Sequence, residues 1–455
     1  MRAGEHGDSA VMPGGGSQSE PWSVLLARAL SLMDRTFGKA RAKEPDDPGA
    51  VALAYAPARV NLIGDHTDYQ GGLALPMALP QGALAMARRR KDGWVGVVSE
   101  GRGGPVWRTT EQLLGTRAQW DAWSFRVSGD GSPAEYDLLP GWAAFLSGCI
   151  AEAGALDPSA GGVVRGLDIA LASDVSEGKG LSSSAAAGLA TALAGLLVDE
   201  RRGERDGVIG AEVRRGLCFA VQRAEHRYLA VPSGLLDELA CAFAQPGHAL
   251  LVDARAVSAK PVPFAPETDG AGIAIIDVGV GRQLAASGYA ARRREVEEAA
   301  RRLGVSLLRD LEREDLPTAR RALPNALYLR VRHVVTENDR VRQVARLASE
   351  RRWRDVGDLM IESHRSLETD YGSSHPVLDR VVDVLSRGEP RVFARVTGGG
   401  FGGNLVALDL GLGREGIEHR LREAGFGVGS ETVQIVRAGP GLSRIAASDG
   451  GRGDD

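Results

Sequence analysis

Cysteine is scarce in this chain. There are three, Cys149, Cys218 and Cys241, and none forms a CxxC pair. An odd, scattered set argues against a disulfide framework or a structural zinc site and suits a reducing cytoplasm. Charge of one sign is not in excess either, since 55 Lys+Arg against 59 Asp+Glu leave a net charge of −4. That removes the general electrostatic case for nucleic acid or an anionic membrane as partner. The runs Arg88-Arg89-Arg90 and Arg292-Arg293-Arg294 read as solvated faces. No stretch is long and apolar enough to cross a bilayer. The first residues carry Glu5, Asp8 and Gly14-Gly15-Gly16 with no apolar core, so no secretory leader is expected. No internal repeat and no long linker is evident.

What remains is an ordinary globular composition, 43% hydrophobic and 25% charged. At roughly 150 residues per domain, the 455 residues predict two or three domains. Residues 1–20 read as a disordered lead-in, and 439–455 as a similar tail. Apolar spacing predicts a helix over Trp22–Phe37 and strands over Val51–Tyr55, Leu73–Ala87, Trp94–Ser99 and Leu167–Leu171. Pro57–Pro76 reads as a functional loop. Helices follow from Ser182, over Glu212–Leu229 and over Leu235–Phe243. Ile273–Val278 reads as a strand and Ala290–Leu303 as an amphipathic helix. Val392–Thr397 and Leu405–Leu410 read as strands flanking a glycine cluster. Strands and helices without regular βαβ repetition predict an α+β architecture.

Three segments carry chemistry. Ala56–Tyr69, APARVNLIGDHTDY, packs Arg59, Asn61, Asp65, His66, Asp68 and Tyr69 into a short stretch. Clustered carboxylates, histidine and an aromatic suit a polyhydroxylated ligand; a polar surface loop is the plain alternative. Asp174–Ala185, DVSEGKGLSSSA, is a small-residue loop running into an Ala-rich helix. Small residues let backbone N–H groups approach phosphates, and a helix N-terminus attracts them. It is not a Walker A loop, because Lys179 is followed by Gly180 and position 173 is Ser. Thr397–Asn404, TGGGFGGN, contains the GxGxxG form but precedes a strand, so the dinucleotide reading fails; a tight bend near a ligand or another domain is expected, with a plain hairpin turn as the alternative. A fourth segment holds Glu225 and Asp237, the latter in the first turn of a short helix.

Together and in this order, the segments resemble the galactokinase branch of the GHMP kinases. ARVNLIGDHTDYQGGLALPMAL, EGKGLSSSAA and RVTGGGFGGN resemble its three motifs. QRAEHRYLAVPSGLLDELA, LAASGYAARRREVEEA, RHVVTEN and MIESHRSLETDY resemble the segments between. The resemblance spans most of Val51–Ala438. It implies a two-domain fold with the active site in the interdomain cleft, an N-terminal domain over 21–215 and a C-terminal domain over 216–438. It implies ATP and Mg²⁺ as cofactors and phosphorylation of the anomeric hydroxyl of galactose. Asp237 would be the general base and Arg59 would stabilise charge. Asp65, His66, Thr67, Asp68 and Tyr289 would contact the sugar. Gly178, Lys179, Gly180, Leu181, Ser182, Ser183 and Ser184 would hold phosphates, and Ser184 and Glu225 the metal. The expected partners are a sugar and ATP, with no nucleic acid and no membrane. The chain would be cytoplasmic, as a monomer or weak homo-oligomer.

Four positions depart from the family pattern. Asp65 replaces Glu, Glu238 replaces Gln, Ser176 replaces Pro, and Lys179 stands where a small residue is commoner. A shorter carboxylate at Asp65 keeps L-arabinose, N-acetylgalactosamine and galacturonate in play as sugars. A non-catalytic sugar and ATP sensor is a further alternative.

Overall fold

The computed structural model describes residues 22–38, 51–110, 113, 141–156, 166–198, 209–231, 233–281 and 285–445. The expected lead-in at 1–20 lies outside them. The first sheet has eight strands: β1 (Val51–Ile63), β2 (Leu73–Arg89), β3 (Trp94–Ser99), β4 (Val106–Thr109), β5 (Leu167–Ser173), β6 (His248–Asp253), β7 (Ser258–Pro263) and β12 (Ser443–Ile445). Its order is β12-β1-β2-β5-β3-β4, with β6 on the start of β2 and β7 on β6. The β3–β5 pair is parallel.

Helix α1 (Ser23–Phe37) packs through Leu25, Ala29 and Met33 on one face of this sheet, against Tyr55, Leu84 and Ala170. On the other face lie α2 (Gly141–Gly154), α3 (Ser183–Leu197), α4 (Ala211–Tyr228) and α5 (Leu236–Phe243). The density of alanine in β1, β2 and α3 lets backbones approach closely here.

The second sheet is antiparallel throughout, in the order β11-β8-β10-β9, from β8 (Gly272–Ile276), β9 (Val392–Val396), β10 (Leu405–Asp409) and β11 (Val433–Val436). Helices α6 (Ala285–Leu303), α7 (Leu316–Ala322), α8 (Asn325–Ser349), α9 (Trp353–Ser366), α10 (Pro376–Leu385) and α11 (Gly413–Glu423) complete this half. Side chains alternate along its strands. Ile273, Ile275, Phe393 and Val406 join a core shared with Val60, Leu62, Leu75 and Met77 of the first domain. Ala274, Ile276, Ala394 and Leu405 face α6, α8, α10 and α11.

Three expectations need correction. Pro57–Pro76 is not one loop, because β1 runs on to Ile63 and β2 starts at Leu73. Burial of Ala58, Val60 and Leu62 in the shared core extends the strand, which leaves 64–72 as the connection. A division between 215 and 216 falls inside α4, whose Leu217 and Val221 pack on the first sheet, and the chain changes sheet after Pro263. Within the 439–455 segment, Ser443–Ile445 is the strand β12 paired to β1.

Arg395 occupies the face of β9 that looks toward the first domain. It is fully buried. Its Nη1 donates to the Leu62 carbonyl at 3.0 Å and its Nη2 lies 2.6 Å from Asp65 Oδ2. Glu337 on α8 is also buried and accepts the Gly64 N–H at 2.9 Å and the Ser363 hydroxyl at 2.5 Å. Burial opposes its ionisation, but Arg340, His333 and Arg395 outweigh that and hold it at about 2. Removing one partner of a buried ion pair typically costs about 3–5 kcal/mol. Arg395→Met is therefore expected to destabilise the chain by about that amount in urea unfolding.

Candidate active site

Asp237 stands in the first turn of α5, about one third exposed at 36%. Arg59 reaches it from β1, beside a register shift between Pro57 and Arg59 that re-aims the strand. Arg59 Nε donates to Asp237 Oδ1 at 2.9 Å, and Nη2 makes a further, shorter contact to the same oxygen. Arg59 Nη1 donates to the Gly180 carbonyl at 2.7 Å, and the Arg59 N–H to the Leu181 carbonyl at 3.2 Å. Burial would lower the Arg59 guanidinium, yet Asp237 outweighs it and the group stays above its ordinary value. The second oxygen of Asp237 accepts the Ser182 hydroxyl at 2.5 Å. Ser182, expected among the phosphate ligands, thus turns its side chain to Asp237.

The glycine-rich loop sits directly beside this pair. Gly178, Gly180 and Ser182 all have left-handed backbones, with φ of 70°, 80° and 57°. Successive turns of this kind gather N–H groups into a concavity suited to anions. Helix α3 then begins at Ser183. Ser184, in its first turn, hydrogen-bonds Glu225 of α4, whose Oε2 also accepts the Ser233 hydroxyl at 2.5 Å. Burial raises Glu225, and the two serines pull the other way. Lys179 points across to the second domain, where its Nζ lies 2.8 Å from Asp277 Oδ2.

The 64–72 connection supplies the other wall. His66 has φ of 63°, stacks on Tyr371 with ring centroids 4.6 Å apart, and its Nδ1 lies 2.9 Å from the Tyr69 hydroxyl. Tyr69 and Tyr371 hydroxyls are 2.6 Å apart, and Tyr289 of α6 meets the Tyr69 ring edge-on at 5.3 Å. Asp68 is pushed up to about 6, first by burial and then by the charge of Asp237. A Cβ on Gly234 would lie 1.9 Å from Asp68 Oδ2, so only glycine permits that approach before α5.

Two expected sugar contacts are used differently. Thr67 is fully buried and donates to the Leu73 carbonyl at 2.7 Å, holding the loop. Asp65 is 3% exposed, and its carboxylate faces Arg395. The glycine turn 398–403 holds neighbouring backbone: the Phe401 N–H donates to the Ser373 carbonyl at 2.7 Å and the Gly403 N–H to Val280 at 2.9 Å. Phe401 packs against Gly288, next to Tyr289. Sequence reasoning gave no role to Arg395, Glu337, Tyr371 or Asp277; charge in an otherwise apolar strand, as at Arg395, was the available signal.

Comparison with known proteins identifies the family. The galactokinase galactose-binding signature matches residues 37–89, and the GHMP kinase C-terminal region matches 344–425. Galactokinase of Streptomyces coelicolor is 36% identical over 392 residues, covering 85% of this chain and 91% of its own length. Human galactokinase is 36% identical over 390 residues, covering 84% of this chain and 88% of its own. The chain belongs to the galactokinase family. The structure of Lactococcus lactis galactokinase complexed with galactose shares the fold, with a TM-score of 0.74 at 24% identity, covering 92% of this chain and all of that one. A mevalonate kinase structure aligns less closely, at a TM-score of 0.53 and 15% identity.

Against this family background Glu238 stands out. It is 1% exposed, and neither carboxylate oxygen has a hydrogen-bond partner among the described residues. Burial, then Glu225 and Asp237, push it well above the ordinary carboxylate range. A neutral carboxylic acid is close in shape to the glutamine that the resemblance implies here. One further group, His364, Glu368 and Asp379, could converge on a cation. His364 takes the Val396 N–H on Nδ1 at 3.4 Å, which puts its proton on Nε2, facing Asp379 at 3.3 Å. That tautomer reads as a buried histidine paired with a half-buried aspartate and not a metal ligand.

The folded chain binds the Glu238 proton more tightly than the unfolded chain does. Stability is thus complete below the ordinary value of 4.5 and is lost as pH rises above it. Glu238→Gln removes this loss. Its Tm advantage over wild type is expected to grow between about pH 5 and pH 8, by at least about 2 °C, in calorimetric scans.

Proposed function

We propose that this chain is an ATP-dependent galactose 1-kinase, which transfers the γ-phosphoryl group of ATP to the anomeric hydroxyl of galactose. The observation that carries the reading is the Asp237 carboxylate. One oxygen is held by Arg59 and the other by Ser182, beside a glycine-rich anion loop and an aromatic–carboxylate wall. Each carboxylate oxygen keeps lone-pair capacity for a sugar hydroxyl. Phosphoryl transfer depends chiefly on alignment and on stabilising charge at the transferring group.

In this reading the sugar lies against His66, Asp68 and Tyr289, with Asp65 and Thr67 acting through the loop they brace. The sugar hydroxyl oxygen attacks the γ-phosphorus, its proton passes toward Asp237, and ADP leaves. Arg59, fixed to Gly180 and Asp237 at once, keeps the acceptor aligned with the phosphates. Backbone N–H groups of Gly178 to Ser184 and the α3 N-terminus would bind phosphate oxygens, with Lys179 adding a positive charge. Ser184 and Glu225 offer a hydroxyl and a carboxylate in mutual contact, a hard oxygen pair that fits Mg²⁺. Bound there, Mg²⁺ would neutralise charge on the triphosphate.

Three buried, free cysteines support a cytoplasmic setting, and no helix among the described residues is long and apolar enough to cross a membrane. We place the enzyme as a monomer or weak homo-oligomer. A second reading, a related sugar such as L-arabinose, N-acetylgalactosamine or galacturonate, draws support from Asp65, whose shorter carboxylate is engaged by Arg395.

Two experiments test this account. ATP turnover is measured against a sugar panel, for wild type and Asp237→Asn. Galactose is expected to be the preferred acceptor, with the variant reduced by at least about a hundredfold and its Tm retained. An active variant, or another sugar ranked well above galactose, contradicts it. The ionised Asp68 carboxylate is needed for sugar contact, so kcat/KM for galactose should fall as pH drops through about 6. Asp68→Asn should lower activity and remove that limb.

A further inference from the structure

The Lys179–Asp277 pair spans the cleft between the two domains. Lys179 lies at the tip of the glycine-rich loop, between the left-handed Gly178 and Gly180. The base of that loop belongs to the first domain: Arg59 holds the Gly180 and Leu181 carbonyls, and Val175 and Leu181 are buried in the shared core. Asp277 belongs to the second domain and follows β8 directly. Its Oδ1 accepts the Gly279 N–H at 2.8 Å, and its own N–H donates to the Thr432 carbonyl at 2.8 Å. Oδ2 is the oxygen that takes Lys179. The two side chains are partly exposed, at 31% and 27%, so water and solutes can compete for them. Beside the base of the loop lies a cavity of about 260 Å³ lined by Ser176, Leu181, Ile275 and Arg414.

A single carboxylate is a weak rival to a triphosphate. Lysine is a mobile point charge on a flexible stem, free to change partners when a stronger anion arrives. We infer that Asp277 gates the nucleotide: it holds Lys179 across the cleft until the phosphates of ATP draw Lys179 over. Nucleotide binding then breaks this interdomain tie. Asp277 is a positioning residue, acting through Lys179. The inference rests on the reading of residues 178–184 as the phosphate site.

The pair is partly exposed, and pairs of this kind are modest in strength. Releasing Lys179 in advance should therefore tighten nucleotide binding by about two- to fivefold. The experiment is calorimetric titration of ATP with Mg²⁺ into the full chain, for wild type, Asp277→Asn, Lys179→Met and the double variant. Asparagine retains an oxygen for the Gly279 N–H, so the turn persists. Asp277→Asn is expected to bind ATP about two- to fivefold more tightly. Lys179→Met should bind it more weakly, and adding Asp277→Asn to Lys179→Met should change nothing.

Unchanged or weaker binding by Asp277→Asn overturns the gate. So does equal tightening in both backgrounds, which would mean plain charge repulsion between Asp277 and phosphate. Galactose-dependent turnover of the same wild-type sample is read in parallel. Its absence counts against the proposed function, whereas normal turnover with an unresponsive Asp277→Asn counts against the gate alone.

Discussion

Arg395 reaches from the second sheet into the first domain, and its burial leaves it no aqueous alternative. A guanidinium in an apolar strand is tolerable only where fixed oxygens meet it. Those oxygens are the Leu62 carbonyl and the Asp65 carboxylate, with Glu337 beyond. The same residues set the path of the 64–72 connection: Glu337 binds the Gly64 N–H, and Asn338 binds the Leu73 N–H at 2.7 Å. The loop that carries His66, Asp68 and Tyr69 is thus defined by the second domain as much as by its own sequence.

A second constraint governs the other wall. Arg59, Ser182 and Asp237 come from a strand, a loop and a helix of one domain and converge on one carboxylate. Arg59 also fixes the Gly180 carbonyl, so acceptor site and phosphate loop share an anchor. Movement of either is felt by the other. The glycine turn at 398–403 contributes indirectly, by seating Phe401 against Gly288 next to Tyr289.

Much of this was legible in the chain. Motif order pointed to the fold, and the resemblance carried by those motifs named Arg59, Asp237 and Tyr289 as candidates; Tyr371 was given no role. The strand ends were less legible. The Gly, Asp, Asn and His of 57–76 suggested a loop, whereas alternation puts Ala58, Val60 and Leu62 in the shared core and turns Arg59 and Asn61, also buried, to the other face. Partners distant in sequence escaped altogether: Leu62 and Arg395 lie 333 positions apart, and nothing local announces that contact. The charge-rich α8 and α9 were similarly obscure. Their polar residues are buried with each other, as Ser363 is on Glu337, and so weaken the apolar periodicity that signals a helix.

The central claim is that Asp237 and Arg59 align one sugar hydroxyl with the γ-phosphate of ATP. The most direct measurement is the ¹H–³¹P NMR spectrum of the product formed from galactose, ATP and Mg²⁺. The account predicts a single sugar phosphate, with phosphorus coupled to the anomeric proton. Phosphate on another carbon, or ATP consumed without any sugar phosphate, would contradict it.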